Sequence, residues 1–275
     1  MAEALSGRIV HVTGAGRGIG RAVALAVARR GAGVAVSDID EAAARDTATS
    51  IRDAGGIASA WQLDVADAAA FFRVTAQIDQ DLGAVDTLVN NAGVMQRGHF
   101  LHVSSDAQAH ELAVNLTGTV NGMKAVMPGM LARGRGQIVN MASIAGRIPL
   151  PHAGMYSATK FAVIGLTEAL RAEYDGHGLI FSLVLPGYVD TALVAGARVP
   201  RFPPISKPED VARAVVSVLQ TGASQRYVPR YLGLFAVVQL LLPPWALHHI
   251  GRWTGVTRSF ASLEAMPLEP PQRGR

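Results

Sequence analysis

Tyr156 and Lys160 stand four residues apart in a segment patterned as a helix, so their side chains share one face. A tyrosine ionises at about pH 10 and is a poor base near neutrality. A lysine ammonium beside it favours the phenolate, and a phenol tuned in this way can give or take a proton in a reaction. Alone, such a pair is ordinary helix surface. A second group of residues could hold an anion. The run Thr13-Gly14-Ala15-Gly16-Arg17-Gly18-Ile19-Gly20 joins a strand-like stretch to a helix-like one. Gly14, Gly18 and Gly20 would let the backbone approach a pyrophosphate, and Ile19 would lend its main chain. The start of the helix adds free N–H groups and a positive dipole end. Asp38 lies 18 residues beyond Gly20, just after the next strand-like run. A carboxylate there accepts hydrogen bonds from ribose hydroxyls and repels a 2′-phosphate, which favours NAD over NADP. Arg17 pulls the other way. Asp40 reads as the N-cap of the following helix.

These residues need elements to hold them. Short β-branched runs alternate with helical segments along the chain. Strands are expected at 8–12, 34–37, 58–63, 87–90, 137–141, 180–185 and 226–229. Helices are expected at 19–30, 40–54, 68–82, 106–132, 155–174 and 208–220, with Gly31 at a C-cap and Pro208 in a first turn. This alternation predicts parallel strands joined by right-handed crossovers. The expected fold is therefore α/β, a single-domain, doubly wound Rossmann-type parallel sheet of about seven strands with helices on both faces. The expected division is a dinucleotide-binding body over 1–225, an extension over 226–263 and a disordered tail over 264–275.

The pattern as a whole resembles the classical short-chain dehydrogenase/reductase family. The residues that carry the resemblance are TGAGRGIG at 13–20, Asp64-Val65, NNAG at 90–93, Asn115, Ser143, YSATK at 156–160 and PGYVDT at 186–191. They follow the family's order and spacing, including 13 residues from Ser143 to Tyr156. The resemblance implies roles. Tyr156 would exchange a proton with the substrate oxygen and Ser143 would orient that oxygen. Lys160 would bind the nicotinamide ribose and depress the tyrosine pKa. Asn115 would hold a water that relays protons from Lys160. Asp64 would meet the adenine amino group beside Val65, and Asn91 or Asn90 would steady the sheet near the adenosine ribose. Ala92 and Gly93 would let the cofactor pass. Pro186 and Gly187 would form a wall beside the nicotinamide, with Val189 and Thr191 at its carboxamide. The expected reaction is hydride exchange between NAD(H) and an alcohol or ketone. The rival readings are a ketone reductase using NADPH and a non-catalytic dinucleotide-binding member of the same fold.

In such a protein the substrate walls would come from 145–155 and 193–205. Ala145, Ile148, His152, Met155, Tyr188, Val194 and Phe202 are the expected pocket residues. These stretches are largely apolar, which points to a hydrophobic secondary alcohol, cyclic or steroid-like or retinoid-like. A small acidic substrate would want a fixed arginine clamp.

Composition narrows the rest. The chain has 275 residues, 49% of them hydrophobic and 17% charged, enough to build a large core. It has no cysteine, which excludes disulfides, thiolate metal sites and cysteine nucleophiles. No metal-ligand cluster is evident, and His11, in a strand, reads as a core or cofactor-side histidine. Seven arginines follow residue 210 against two glutamates, a net of +5, so the C-terminal quarter accounts for the whole chain's net charge of +4 while the rest is near neutral. No aromatic-interleaved basic patch suggests a nucleic acid. No leader or spanning segment is expected, and the protein is expected to be cytoplasmic, as a homodimer or homotetramer. The apolar stretch 231–253 would pack as a lid or subunit contact, or touch a membrane surface.

Overall fold

The computed structural model describes residues 5–195, 204–238, 242–243, 245 and 249. Seven strands form one parallel sheet in the order β3-β2-β1-β4-β5-β6-β7. They are β1 (Ile9–Thr13), β2 (Gly33–Asp38), β3 (Ile57–Gln62), β4 (Thr87–Asn90), β5 (Gly136–Met141), β6 (Leu179–Pro186) and β7 (Gln225–Val228). β7 thus carries the sheet past residue 225, where the extension was expected to begin. The strand order reverses between β1 and β4, and ligands bind at that kind of crevice in open α/β sheets.

The helices are α1 (Gly18–Ala28), α2 (Glu41–Asp53), α3 (Ala68–Asp81), α4 (Ser105–Leu112), α5 (Gly118–Ala132), α6 (Gly154–Glu173), α7 (Pro208–Thr221) and α8 (Leu232–Val238). Alternation along the strands sorts side chains to two faces. Val10, Val12, Val34 and Val36 point into a core with α1, α2 and α7. Ala35, Leu88 and Ile138 point into a second core with α3 and α5. Burial on both faces explains why the strands read as near-continuous apolar runs.

Local signals end and start the helices as expected. The Asp40 carboxylate accepts the Ala43 N–H at 3.1 Å and caps α2. Gly31 takes a φ of +87° after α1. The expected helix 106–132, however, is not one α-helix. Residues Ala113–Thr117 form a wide π turn between α4 and α5. In the extension, Leu232 and Ala236 of α8 pack on Ile144, while Leu234 and Val237 are exposed. No helix among the described residues is long and apolar enough to cross a membrane. The tail 264–275 lies outside the described residues.

His11 is fully buried on β1, with Nε2 bound to the Ser37 hydroxyl at 2.8 Å and its ring edge-on to Phe71. Burial pushes it down to about 3, so it stays neutral in the fold. The unfolded chain takes up a proton near pH 6.5 and the folded one does not, so stability is lost as pH falls from about 6.5 toward 3. Between pH 7 and 5 this amounts to roughly 2 kcal/mol. His11→Gln should lose correspondingly less stability over that interval in urea titrations, and an unchanged slope would refute the assignment.

Candidate active site

A cleft of about 810 Å³ opens above the C-terminal ends of the strands, from the glycine turn at Gly14 to Val194. Its first half is built on β1 and α1. Gly14 and Gly18 have φ of +61° and +55°, which other residues rarely adopt. A Cβ at Gly14 would stand 2.8 Å from the Ala92 Cα, so the turn lies directly against the end of β4. Thr13 and Asn91 lock that contact. The Asn91 amide donates to the carbonyls of Thr13 at 2.9 Å and Gly14 at 3.1 Å, and Thr13 Oγ1 accepts the N–H groups of Asn91 and Ala92. Asn91 is therefore the residue beside the turn. Asn90 instead donates to Asn140 Oδ1 at 2.9 Å, inside the sheet.

Asp38 ends β2, only 7% exposed, and its Oδ2 accepts the Gly16 N–H at 2.8 Å. That bond fixes a negative charge on the cleft wall. Arg17 also lines the cleft, in the N-cap position of α1 with no capping hydrogen bond from its side chain. Asp64 and Val65 follow β3 in the same wall. Asp64 Oδ1 accepts the Ala66 N–H at 2.9 Å, and the Val65 carbonyl accepts the Asn121 amide at 2.9 Å. Gly93, Pro186, Gly187, Val189 and Thr191 complete this half. The glycine cradle, the uncovered start of α1 and the carboxylate at Asp38 fit a dinucleotide. Bulk at Gly14 or Gly20 would close the cradle.

Ser143, Tyr156 and Lys160 meet in the second half. Ser143 follows β5. Its hydroxyl donates to the Pro186 carbonyl at 3.3 Å and accepts the Ala145 N–H at 3.1 Å, and it shares the cleft wall with Tyr156. Lys160 is buried one helical turn from Tyr156, with Nζ donating to the Met141 carbonyl at 2.8 Å and 5.6 Å from the Tyr156 ring centre. The expected depression of the tyrosine is not realised. Burial pushes Tyr156 up to about 12, opposed by the Ser143 hydrogen bond and reinforced by the Glu111 charge. Burial pushes Lys160 down to about 8, against the pull of Glu111. The physical reason is burial, which disfavours the phenolate more than the neighbouring ammonium favours it.

Asn115 sits within the π turn, a distortion that often marks functional sites. Its amide clamps Val94 from both sides, accepting its N–H at 2.9 Å and donating to its carbonyl at 2.9 Å. It also donates to Thr159 Oγ1 at 3.1 Å. The Asn115 carbonyl accepts the Thr119 hydroxyl at 2.9 Å.

The expected substrate wall is partly displaced. Tyr188 and Val194 line the cleft, but Ala145, Ile148, His152 and Met155 do not. Ala145 is fully buried behind Tyr156, Ile148 packs toward Leu232, and His152 stands edge-on to His99 at 4.7 Å. Met155 is adjacent to Tyr156, and a step of one residue turns it about 100° away around the helix. Phe202 lies outside the described residues. The observed wall comes instead from Val94, Met95, Ile144, Leu150 and Leu193. Sequence reasoning also passed over Thr13, Asn121, Asn140 and Glu111. Glu111 carried a signal, since it precedes Asn115 by one helical turn.

The profile of the short chain dehydrogenase family matches residues 8–200. The chain is 39% identical to the probable oxidoreductase EphD of Mycobacterium tuberculosis over 89% of its own length and 44% of that protein. It thus spans less than half the length of that relative. It is 35% identical to 2-(S)-hydroxypropyl-CoM dehydrogenase 3 of Xanthobacter autotrophicus, over 82% of this chain and 94% of the relative. Among solved structures it resembles a gluconate 5-dehydrogenase from Burkholderia cenocepacia in complex with NADP and tartrate. That match has a TM-score of 0.77 and 30% identity, covering 82% of this chain and 95% of the other. The chain belongs to the short-chain dehydrogenase family, whose members are oxidoreductases that use a nicotinamide dinucleotide.

Proposed function

We propose that the protein interconverts an apolar secondary alcohol and its ketone, using NAD(H). The observation that carries this reading is that Ser143, Tyr156 and Lys160 line one cleft together, where the glycine turn meets an apolar rim of Ile144, Leu150, Leu193 and Val194. Bound nicotinamide supplies the hydride chemistry. Tyr156 takes the proton from the substrate hydroxyl in oxidation and returns it in reduction. Ser143 holds the same oxygen in line. Lys160 presents its ammonium to the nicotinamide ribose, and that charge beside the phenol works against the burial that holds Tyr156 up. Asn115, clamped to Val94, orders the start of the proton route behind Lys160. The division into a body, an extension and a tail stays part of this reading, with α8 as the backing of the Ile144 wall.

NAD is favoured by Asp38. Its carboxylate lies in the cleft wall against the glycine turn, and a 2′-phosphate brought beside it would meet a like charge. Arg17 and the NADP found in the gluconate dehydrogenase complex support the rival NADPH reading. The test is reduced-nicotinamide formation from NAD and from NADP across cyclic, steroid and retinoid secondary alcohols. NAD should be preferred, and Asp38→Asn should narrow that preference by about tenfold or more, the equivalent of one unpaired repulsion of about 1.4 kcal/mol. Preference for NADP in the unaltered protein would overturn the cofactor assignment. Turnover of polyols but no apolar alcohol would overturn the substrate class.

A further inference from the structure

Lys160 presents a difficulty that its hydrogen bond does not solve. Its ammonium is 5% exposed and bonded to one neutral carbonyl, Met141, and a buried charge needs a counter-charge to persist. Glu111 is fully buried at the end of α4, one helical turn before Asn115. Its Oε1 accepts the Gln96 N–H at 3.1 Å, while Oε2 is buried with no partner among the described residues. Asn115 holds Val94 and Glu111 holds Gln96, so the two side chains grip alternate residues of one extended segment. At Gly93, just before that segment, a Cβ would stand 3.3 Å from Asn115 Oδ1 and 3.7 Å from Lys160 Nζ. The carboxylate and the ammonium therefore bracket the same short stretch of backbone.

We propose that Glu111 is the counter-ion of Lys160, a positioning residue that keeps the lysine charged for the cofactor and for Tyr156. This rests on the reading of Lys160 and Tyr156 given above. The charged group acting on Glu111 is Lys160 of α6, and the neutral phenol of Tyr156 on the same helix feels the Glu111 charge in turn. Other ionisable groups on the cleft wall are Arg17, Asp38, Asp64, Arg97, His110, Tyr188 and Asp190. Of these, none contributes to the shift at Lys160, whereas Glu111 does. Burial pushes Glu111 up to about 7 and Lys160 down to about 8, and each charge pulls the other back toward its ionised form. Between those values both groups carry their charges, and below about 7 the carboxyl is protonated.

NADH affinity as a function of pH reads this without any substrate. In the unaltered protein, affinity should fall on the alkaline side as Lys160 loses its proton near pH 8. Glu111→Gln keeps an acceptor for the Gln96 N–H, while Glu111→Met removes it, and both delete the charge. Both should move the alkaline midpoint down by about one pH unit or more, as loss of a nearby opposite charge does. Affinity at pH 6.5 should change less than about threefold, because the carboxyl already carries a proton there. An unmoved midpoint in either folded variant overturns the proposal. So does a loss that appears only with Met and is uniform in pH, which would make Glu111 a backbone clamp alone. Lys160→Met separates the two readings. It should abolish the alkaline fall, and persistence of that fall would instead remove Lys160 from the cofactor site.

Discussion

Tyr156→Phe is expected to abolish alcohol oxidation and ketone reduction, by roughly 100- to 10,000-fold in turnover, the range for losing a positioned acid–base group. The ring of Tyr156 is 8% exposed and packed with Ala145, Leu150 and Tyr188, and phenylalanine fills the same space. NADH binding and thermal stability should therefore hold, with affinity within about twofold, well under the 1.4 kcal/mol that a tenfold change requires. The pH dependence carries a sign. With Tyr156 at about 12 in the free protein, its hydroxyl is protonated throughout the neutral range. Reduction draws on that proton and should be flat or decline with rising pH. Oxidation needs the phenolate and should rise with pH. Stopped-flow rates in both directions test this, and retained turnover in a folded variant would dismiss Tyr156 as the acid–base group.

Gly20→Ala should disable the cofactor cradle. A Cβ at Gly20 would fall 2.1 Å from the Gly14 carbonyl oxygen and 2.5 Å from Asn91 Nδ2. Neither is the tip of a flexible side chain free to swing away. The oxygen belongs to the turn, and the amide is held by two carbonyls. Relief requires opening the turn and breaking the Asn91 lock together. Overpacking of this kind costs about 1–3 kcal/mol, so NADH affinity should fall by roughly 10- to 100-fold. Calorimetric titration and melting curves measure both consequences, and binding unchanged within error would show that the cradle is not the cofactor's seat.

The legible parts of this molecule were those where one residue type has one physical use. Glycines between a strand and a helix, Asp40 ahead of a helix and β-branched runs each declare themselves locally, and strand ends fell within a residue or two of expectation. Tyr156 and Lys160 were readable from helical spacing, and Ser143 only through the joint pattern. What stayed hidden depends on distant partners. Asn140 gains meaning only beside Asn90 and Thr167, 50 and 27 residues away. The ionisation of Tyr156 differs from expectation because spacing reveals a neighbouring lysine but not the burial of the phenol or the Glu111 charge across the chain. The rim was misjudged for a similar reason. Residues 145–155 are apolar whether they face the cleft or its backing, and composition does not distinguish the two.

The π turn at Ala113–Thr117 carries a last consequence. One surplus residue in a helical turn shifts the phase of everything beyond it. Ahead of the shift, Glu111 addresses the segment after β4, and Asn115 within it does the same. Beyond it, Gly118 and Gly122 lie so close to Val65 and Asn90 that a Cβ at either would stand 2.6 Å and 2.4 Å from them. Two incompatible angular demands, chemistry on one side and close docking on the other, are thus met by a single continuous rod. The wide turn works as a gearing between them, which ties the fit of α5 on the sheet to the aim of Asn115 and lets neither drift alone.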